Sequence, residues 1–221
     1  MKTSLCAKRY HAMTLIEVLV VIMVSMALAA LVLPEMLSRP KGYTGQMRCV
    51  NNLKQIGLAY RVWASDNNDK FPMEISETNG GTMEFTTGPN AYRHFLVMSN
   101  ELSTTRVVFC PGESNRMRAT NFGVFRNSNL SYFVGVDASQ TNPAMILVGD
   151  RWLTNDTPVE NAMLDLTAKH PARWTAEVHE NVGNIVLADG SLQQVNTKKL
   201  RKLIDRSGVA TNRLQIPILG P

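Results

Sequence analysis

By its hydrophobic pattern the chain divides into a continuous apolar run, an amphipathic stretch and a polar body broken by short apolar segments. Residues 13–33 read MTLIEVLVVIMVSMALAALVL, in which Glu17 alone carries charge. At 1.5 Å per residue this predicts a helix of about 30 Å, the thickness of a bilayer's hydrocarbon core. Over 46–64, Met47, Val50, Leu53, Ile56, Tyr60 and Trp63 recur at three- and four-residue steps. That spacing predicts a helix with one apolar face. Pro34, Pro40, Gly42 and Gly45 fall between the two. They predict a helix break at Pro34 and a flexible segment over 34–45.

The body beyond reads as short strands. Arg106–Cys110, Leu130–Val136, Ala144–Val148, Asn184–Ala188 and Ser191–Val195 are the strand-like runs, and 198–205 predicts a short final helix. Asp189-Gly190 between the last two strands signals a hairpin with a two-residue type I′ turn, which needs positive φ at both central residues. Asp66-Asn67-Asn68-Asp69 offers oxygens to calcium but lacks the spacing of a calcium loop, and reads as a helix stop. Residues 73–105 are polar and irregular. The residues thus predict a small antiparallel sheet with a helix across one face.

Charge alters the picture at the front. The 221-residue chain has a net charge of +5. Lys2, Lys8 and Arg9 sit in the first twelve residues, leaving 20 basic against 18 acidic side chains. That balance removes the electrostatic case for nucleic acid as a partner. A basic leader before an apolar run predicts an N-terminus in the cytoplasm, one pass through a membrane and an exported body. Cys49 and Cys110 belong to that body. A disulfide between them would stabilise by about 3 to 4 kcal/mol, and two buried free thiols are the alternative.

Glu17 distinguishes three readings of the apolar run. A signal peptide cut after Ala27-Leu28-Ala29 and a plain anchor both leave the carboxylate without purpose. The run Ala12-Met13-Thr14-Leu15-Ile16-Glu17-Val18 resembles the cleavage and methylation motif of type IV prepilins and type II secretion pseudopilins. Ala12 stands where that family most often has Gly, and Met13 where it most often has Phe. The resemblance implies a pilin-like α+β fold: a long N-terminal helix, membrane half plus amphipathic half, packed on a small antiparallel β-sheet head. It implies a leader over 1–12, a transmembrane and assembly helix over 13–33, and a globular domain over 46–221.

Prepilin peptidase is the implied processing partner, and the bacterial inner membrane, crossed once, is the implied location. The peptidase would cut between Ala12 and Met13, methylate the new amine and release a subunit that polymerises with other pilin or pseudopilin subunits. A carboxylate in lipid costs about 2.5 to 3.5 kcal/mol on insertion scales, so Glu17 asks for a counter-ion. Cleavage supplies one at Met13, with a pKa of about 7.7 to 8.0. A pair within one helix is one turn apart and geometrically allowed, while the resemblance implies that Glu17 pairs with the Met13 amine of the neighbouring subunit in assembly. Pro34 matches a proline of pilin-like helices.

His179, nine intervening residues and Asp189-Gly190 match the H-x9-DG signature of a prepilin-like subgroup, as do the runs at Ser131 and Val108. Their residue-level reading is structural, with His179 closing the hairpin. His170, His179, Asp150 and Asp189 for a metal, or Ser131 or Ser191 with His179 for hydrolysis, find no supporting motif. The expectation is therefore a structural subunit with no catalytic residue, cofactor or metal. The alternative is a membrane-tethered exported enzyme or ligand-binding module that uses a pilin-type leader.

Overall fold

The computed structural model describes residues 14–37, 41–113, 115–167, 170, 172–175 and 181–218, with backbone alone for 32–37 and 41–44. The chain separates into two units, 1–41 and 42–221.

In the first unit α1 spans Leu15–Leu37, and its side chains over 15–31 are exposed. Among the described residues no helix is long and apolar enough to cross a membrane. Its first turn carries the Glu17 carboxylate, a charge that costs about 2.5 to 3.5 kcal/mol in lipid. The transmembrane helix expected over 13–33 therefore does not stand, and the single-pass inner-membrane placement falls with it.

The second unit opens one residue into α2, Lys41–Asp66. Its Cys49, Leu53, Ile56, Tyr60 and Trp63 enter a core with Tyr132, Val134, Leu147, Val186 and Ala188. The amphipathic spacing explains the helix; the registration differs slightly, since Met47 is exposed and Val50 half-buried. Gly57 permits the close approach, because a Cβ there would lie 2.8 Å from Val186 Cγ1.

The sheet is six-stranded and antiparallel, in the order β4 (Met163–Leu166), β8 (Asn212–Gln215), β1 (Tyr132–Gly135), β2 (Ile146–Asp150), β6 (Val182–Leu187), β7 (Leu192–Asn196). Alternate side chains point to opposite faces. Tyr132, Val134 and Val186 thus enter the core under α2, while Phe133, Ile185 and Leu187 enter a second core. A bulge between Ile146 and Val148 breaks the alternation, so Leu147 and Val148 both face α2.

Leu200, Leu203 and Ile204 of α5 (Thr197–Arg206) cover the second face, together with Trp174 of a two-stranded sheet, β3 (Leu153–Thr154) with β5 (Arg173–Trp174). Between α2 and β1 the chain forms short 3-10 turns and two single-turn helices, α3 (Arg93–Leu96) and α4 (Ser99–Leu102).

These observations correct the expected fold class. Among the described residues no long N-terminal helix packs on a sheet: the side chains of α1 over 15–31 are exposed, and α2 is the helix that meets the strands. The main sheet is also larger than expected, since its strands β4 and β8 were not foreseen, and neither was the separate β3–β5 pair. The strand expected over Arg106–Cys110 is absent. Carbonyls of Arg106 and Phe109 instead accept from the Asn52 side chain at 3.3 and 2.8 Å, which satisfies them without a ladder.

Cys49 and Cys110 form a disulfide across a separation of 61 residues, with Cα atoms 5.2 Å apart. It ties α2 to the far end of the irregular stretch. Closing that loop contributes about 4 kcal/mol on the chain-entropy view. Replacing both cysteines by alanine should lower the free energy of unfolding by that amount; urea titration of the double variant beside the oxidised protein measures it.

Candidate functional site

Thr14 immediately precedes α1 and caps it. Its backbone amide donates to Glu17 Oε2 at 2.8 Å and its hydroxyl donates to the same oxygen at 3.1 Å. The Glu17 amide reaches back to Thr14 Oγ1 at 3.4 Å. This is the reciprocal T-x-x-E capping box, placed where a helix's free amides and dipole favour negative charge. The two Thr14 donors hold the Glu17 carboxyl below its ordinary range, although it is fully exposed. Glu17 therefore has a partner in its own chain. Ala12 and Met13, the expected processing pair, lie outside the described residues. Pro34 falls inside α1, whose backbone stays helical to Leu37, while Gly42 and Gly45 lie in α2.

The Asp189-Gly190 turn joins β6 to β7. The Gly190 amide donates to Leu187 O at 2.9 Å, and Leu187 pairs with Ser191 through a 3.0 Å bond. Gly190 has φ +83°, but Asp189 is not in the left-handed region. The connection is thus a three-residue loop, a type I turn closed by a left-handed glycine, rather than the expected type I′ turn. The Asp189 carboxylate accepts from Ser191 N at 2.7 Å, and its carbonyl accepts from Arg61 Nη1 of α2 at 3.1 Å. Asp189 and Gly190 fix the hairpin tip and its seat on α2. His179, the remaining member of the signature, lies outside the described residues.

No family model, curated protein or solved structure matches the chain. Its chemistry rests on its own residues.

The other candidates do not converge. Asp150 is buried and accepts from the Asn184 amide and side chain at 2.8 and 2.9 Å, so it braces β2 against β6. Ser131 is buried at the start of β1, Ser191 sits in the hairpin turn, and His170 is exposed. Among the described residues, no three His, Cys, Asp or Glu side chains come together as metal ligands.

Two buried polar clusters were not foreseen. Glu113, with its side chain 1% exposed, pairs through Oε1 with Arg151 and, at 3.2 Å, with Arg116. Arg116 also donates to the carbonyls of Asn127 and Pro217. Burial and the neighbouring Arg151 bring the Arg116 guanidinium down to about 10, so it stays charged at neutral pH. Arg151 stacks over Trp152 at 3.7 Å. The three-residue spacing of Glu113 and Arg116 was the one sequence sign of this cluster.

The second cluster is centred on His94. Gln215 Nε2 donates to Phe85 O and Gly88 O at 2.9 and 2.8 Å, so its Oε1 accepts from His94 Nε2 at 2.8 Å. That assigns the proton to Nε2 and leaves Nδ1 to accept from the Thr82 hydroxyl at 2.6 Å. No sequence signal links residues 94 and 215. The network pins the irregular stretch to β8 with a neutral ring.

Burial lowers the His94 pKa from 6.5 to about 4. Between those values the unfolded chain binds a proton that the folded chain does not, so stability is full above pH 6.5 and lost as pH falls toward 4. The loss reaches about 3 kcal/mol at most. Urea titrations at several pH values should show His94→Gln less stable at pH 7 and without this component of the pH dependence.

Proposed function

We propose that the chain is a pilin-like structural subunit, cut between Ala12 and Met13 by a prepilin peptidase. It then assembles with other copies or related subunits into a type II secretion pseudopilus or a type IV pilus-like fibre. The observation that carries this reading is Glu17, the one charge on the described face of an otherwise apolar helix whose side chains over 15–31 are all exposed. An apolar helix without cover calls for neighbouring helices, and a set of parallel copies supplies them.

Glu17 then acts twice. Within one subunit it caps α1 through Thr14. In the fibre it meets the amine that cleavage creates at Met13 of a neighbour, which sets how far one helix is displaced along the next. The capped carboxylate already sits ionised, so the exchange trades the Thr14 donors for a cation rather than creating a charge. The body contributes structure and no catalysis of its own.

Intact mass of the native protein should show loss of the first twelve residues and a methyl group on the new N-terminus. Glu17→Ala should lower fibre incorporation by about tenfold or more, the effect of about 1.4 kcal/mol, with the body folded as before. Incorporation at the unaltered level removes the pairing role.

A further inference from the structure

Two exposed patches of opposite sign lie on opposite sides of the six-stranded sheet. α5 exposes Lys198, Lys199, Arg201, Lys202 and Arg206 with Asp205 as its one acid, an excess of four positive charges. Among the described residues, Asp156, an acid whose carboxylate feels Arg201 of this helix, is held by Arg173 at 2.9 Å. Residues 66–84 carry Asp66, Asp69, Glu74, Glu77 and Glu84 against Lys70, an excess of four negative charges. Arg93 offsets one of them, with Nη1 3.9 Å from Glu77 Oε1. Bonds from the Ser76 hydroxyl and the Glu77 amide hold the exposed Glu84 carboxyl below its usual range, so it stays ionised.

The cores fix where each patch faces. Leu200, Leu203 and Ile204 beneath the basic helix belong to the cluster of Phe133, Ile185 and Leu187. Phe71 and Met73, which lie among the acids, belong to the cluster of Tyr132, Val134 and Val186. Neighbouring residues of one strand point to opposite faces, so the patches cannot neutralise each other within one body.

We infer that the basic face of α5 docks on the acidic turns over 66–84 of a second copy of this chain. The contact is heterologous: one copy gives its α5 and keeps its acidic turns for the next, so growth continues instead of closing into a pair. Over 42–221 there are 18 Lys and Arg against 16 Asp and Glu, so the attraction lies in the two patches and not in bulk charge. A polyanion on α5 would leave the acidic turns on the opposite face without a partner, whereas a second copy satisfies both signs. The inference draws on the fibre reading only for what the contact serves.

Equal amounts of ordinary and 15N-labelled full-length chain, treated with a zero-length carbodiimide crosslinker, test it. Mixed-isotope crosslinks should join Lys198, Lys199 or Lys202 to Asp66 or Glu77, and about 0.5 M salt should suppress them, since the screening length there is about 4 Å. Lys199→Glu with Lys202→Glu should lower their yield about tenfold, the loss of two exposed pairs together with new repulsion. Adding Asp66→Lys with Glu77→Lys should restore it. All four side chains are exposed, and an unchanged circular dichroism spectrum checks the fold.

Crosslinks confined to one isotope, a reversal without loss, or a swap without recovery overturns the docking. A native chain that retains its first twelve residues yet gives the mixed crosslinks removes the fibre reading and leaves the docking in place. Fibres forming normally from the Lys199→Glu, Lys202→Glu chain do the opposite.

Discussion

Both faces of the six-stranded sheet are apolar, and each must be covered for the body to exist. α2 covers one and α5 with the β3–β5 pair covers the other, so the strands lie between two separate cores. The bulge at Ile146 and Val148 follows from the same demand, since it turns an extra side chain toward α2 where the larger core needs it. Burial of this kind, at about 25 cal/mol per Å² of apolar surface, is the driving term for the fold. The disulfide and the buried polar networks then attach to that frame the irregular stretch, which has little packing of its own.

What the sequence made legible follows from the strength of each periodic signal. The α2 stripe, the hairpin strands and α5 carry repeated apolar positions, and all appear close to the expected places. β4 and β8 escaped notice because Met163-Leu164-Asp165-Leu166 is only four residues long and Asn212-Arg213-Leu214-Gln215 has three polar residues of four; they are stabilised by pairing with each other and, for β8, with β1. Arg106–Cys110 misled in the other direction, because an apolar run looks the same whether its carbonyls meet a strand or a single asparagine. The hairpin tip was recognised but its loop was counted one residue short, since Asp-Gly serves both kinds of turn.

At the front end the apolar composition was plain, but the inference of a long helix spanning lipid and continuing onto the sheet was not sustained. The T-x-x-E spacing at Thr14 and Glu17 was readable as a helix cap from the start. It gives the acid a local task, which the motif's resemblance to prepilins had assigned only to partners. Thr14 and Glu17 are the part of the candidate site that the structure adds to; Ala12, Met13 and His179 keep only their sequence argument.

The helix α2 is fastened at three heights: by the bond from Cys49 to Cys110, by the bare backbone of Gly57 against Val186, and by Arg61 on the hairpin carbonyl of Asp189. Twelve residues separate the first from the last, about 18 Å along the axis. A helix held at one level can pivot or ratchet; one held at three cannot shift by a turn without releasing all of them. A pull applied at the start of α2 is therefore delivered whole to the sheet, which makes this helix a tie-rod rather than a hinge.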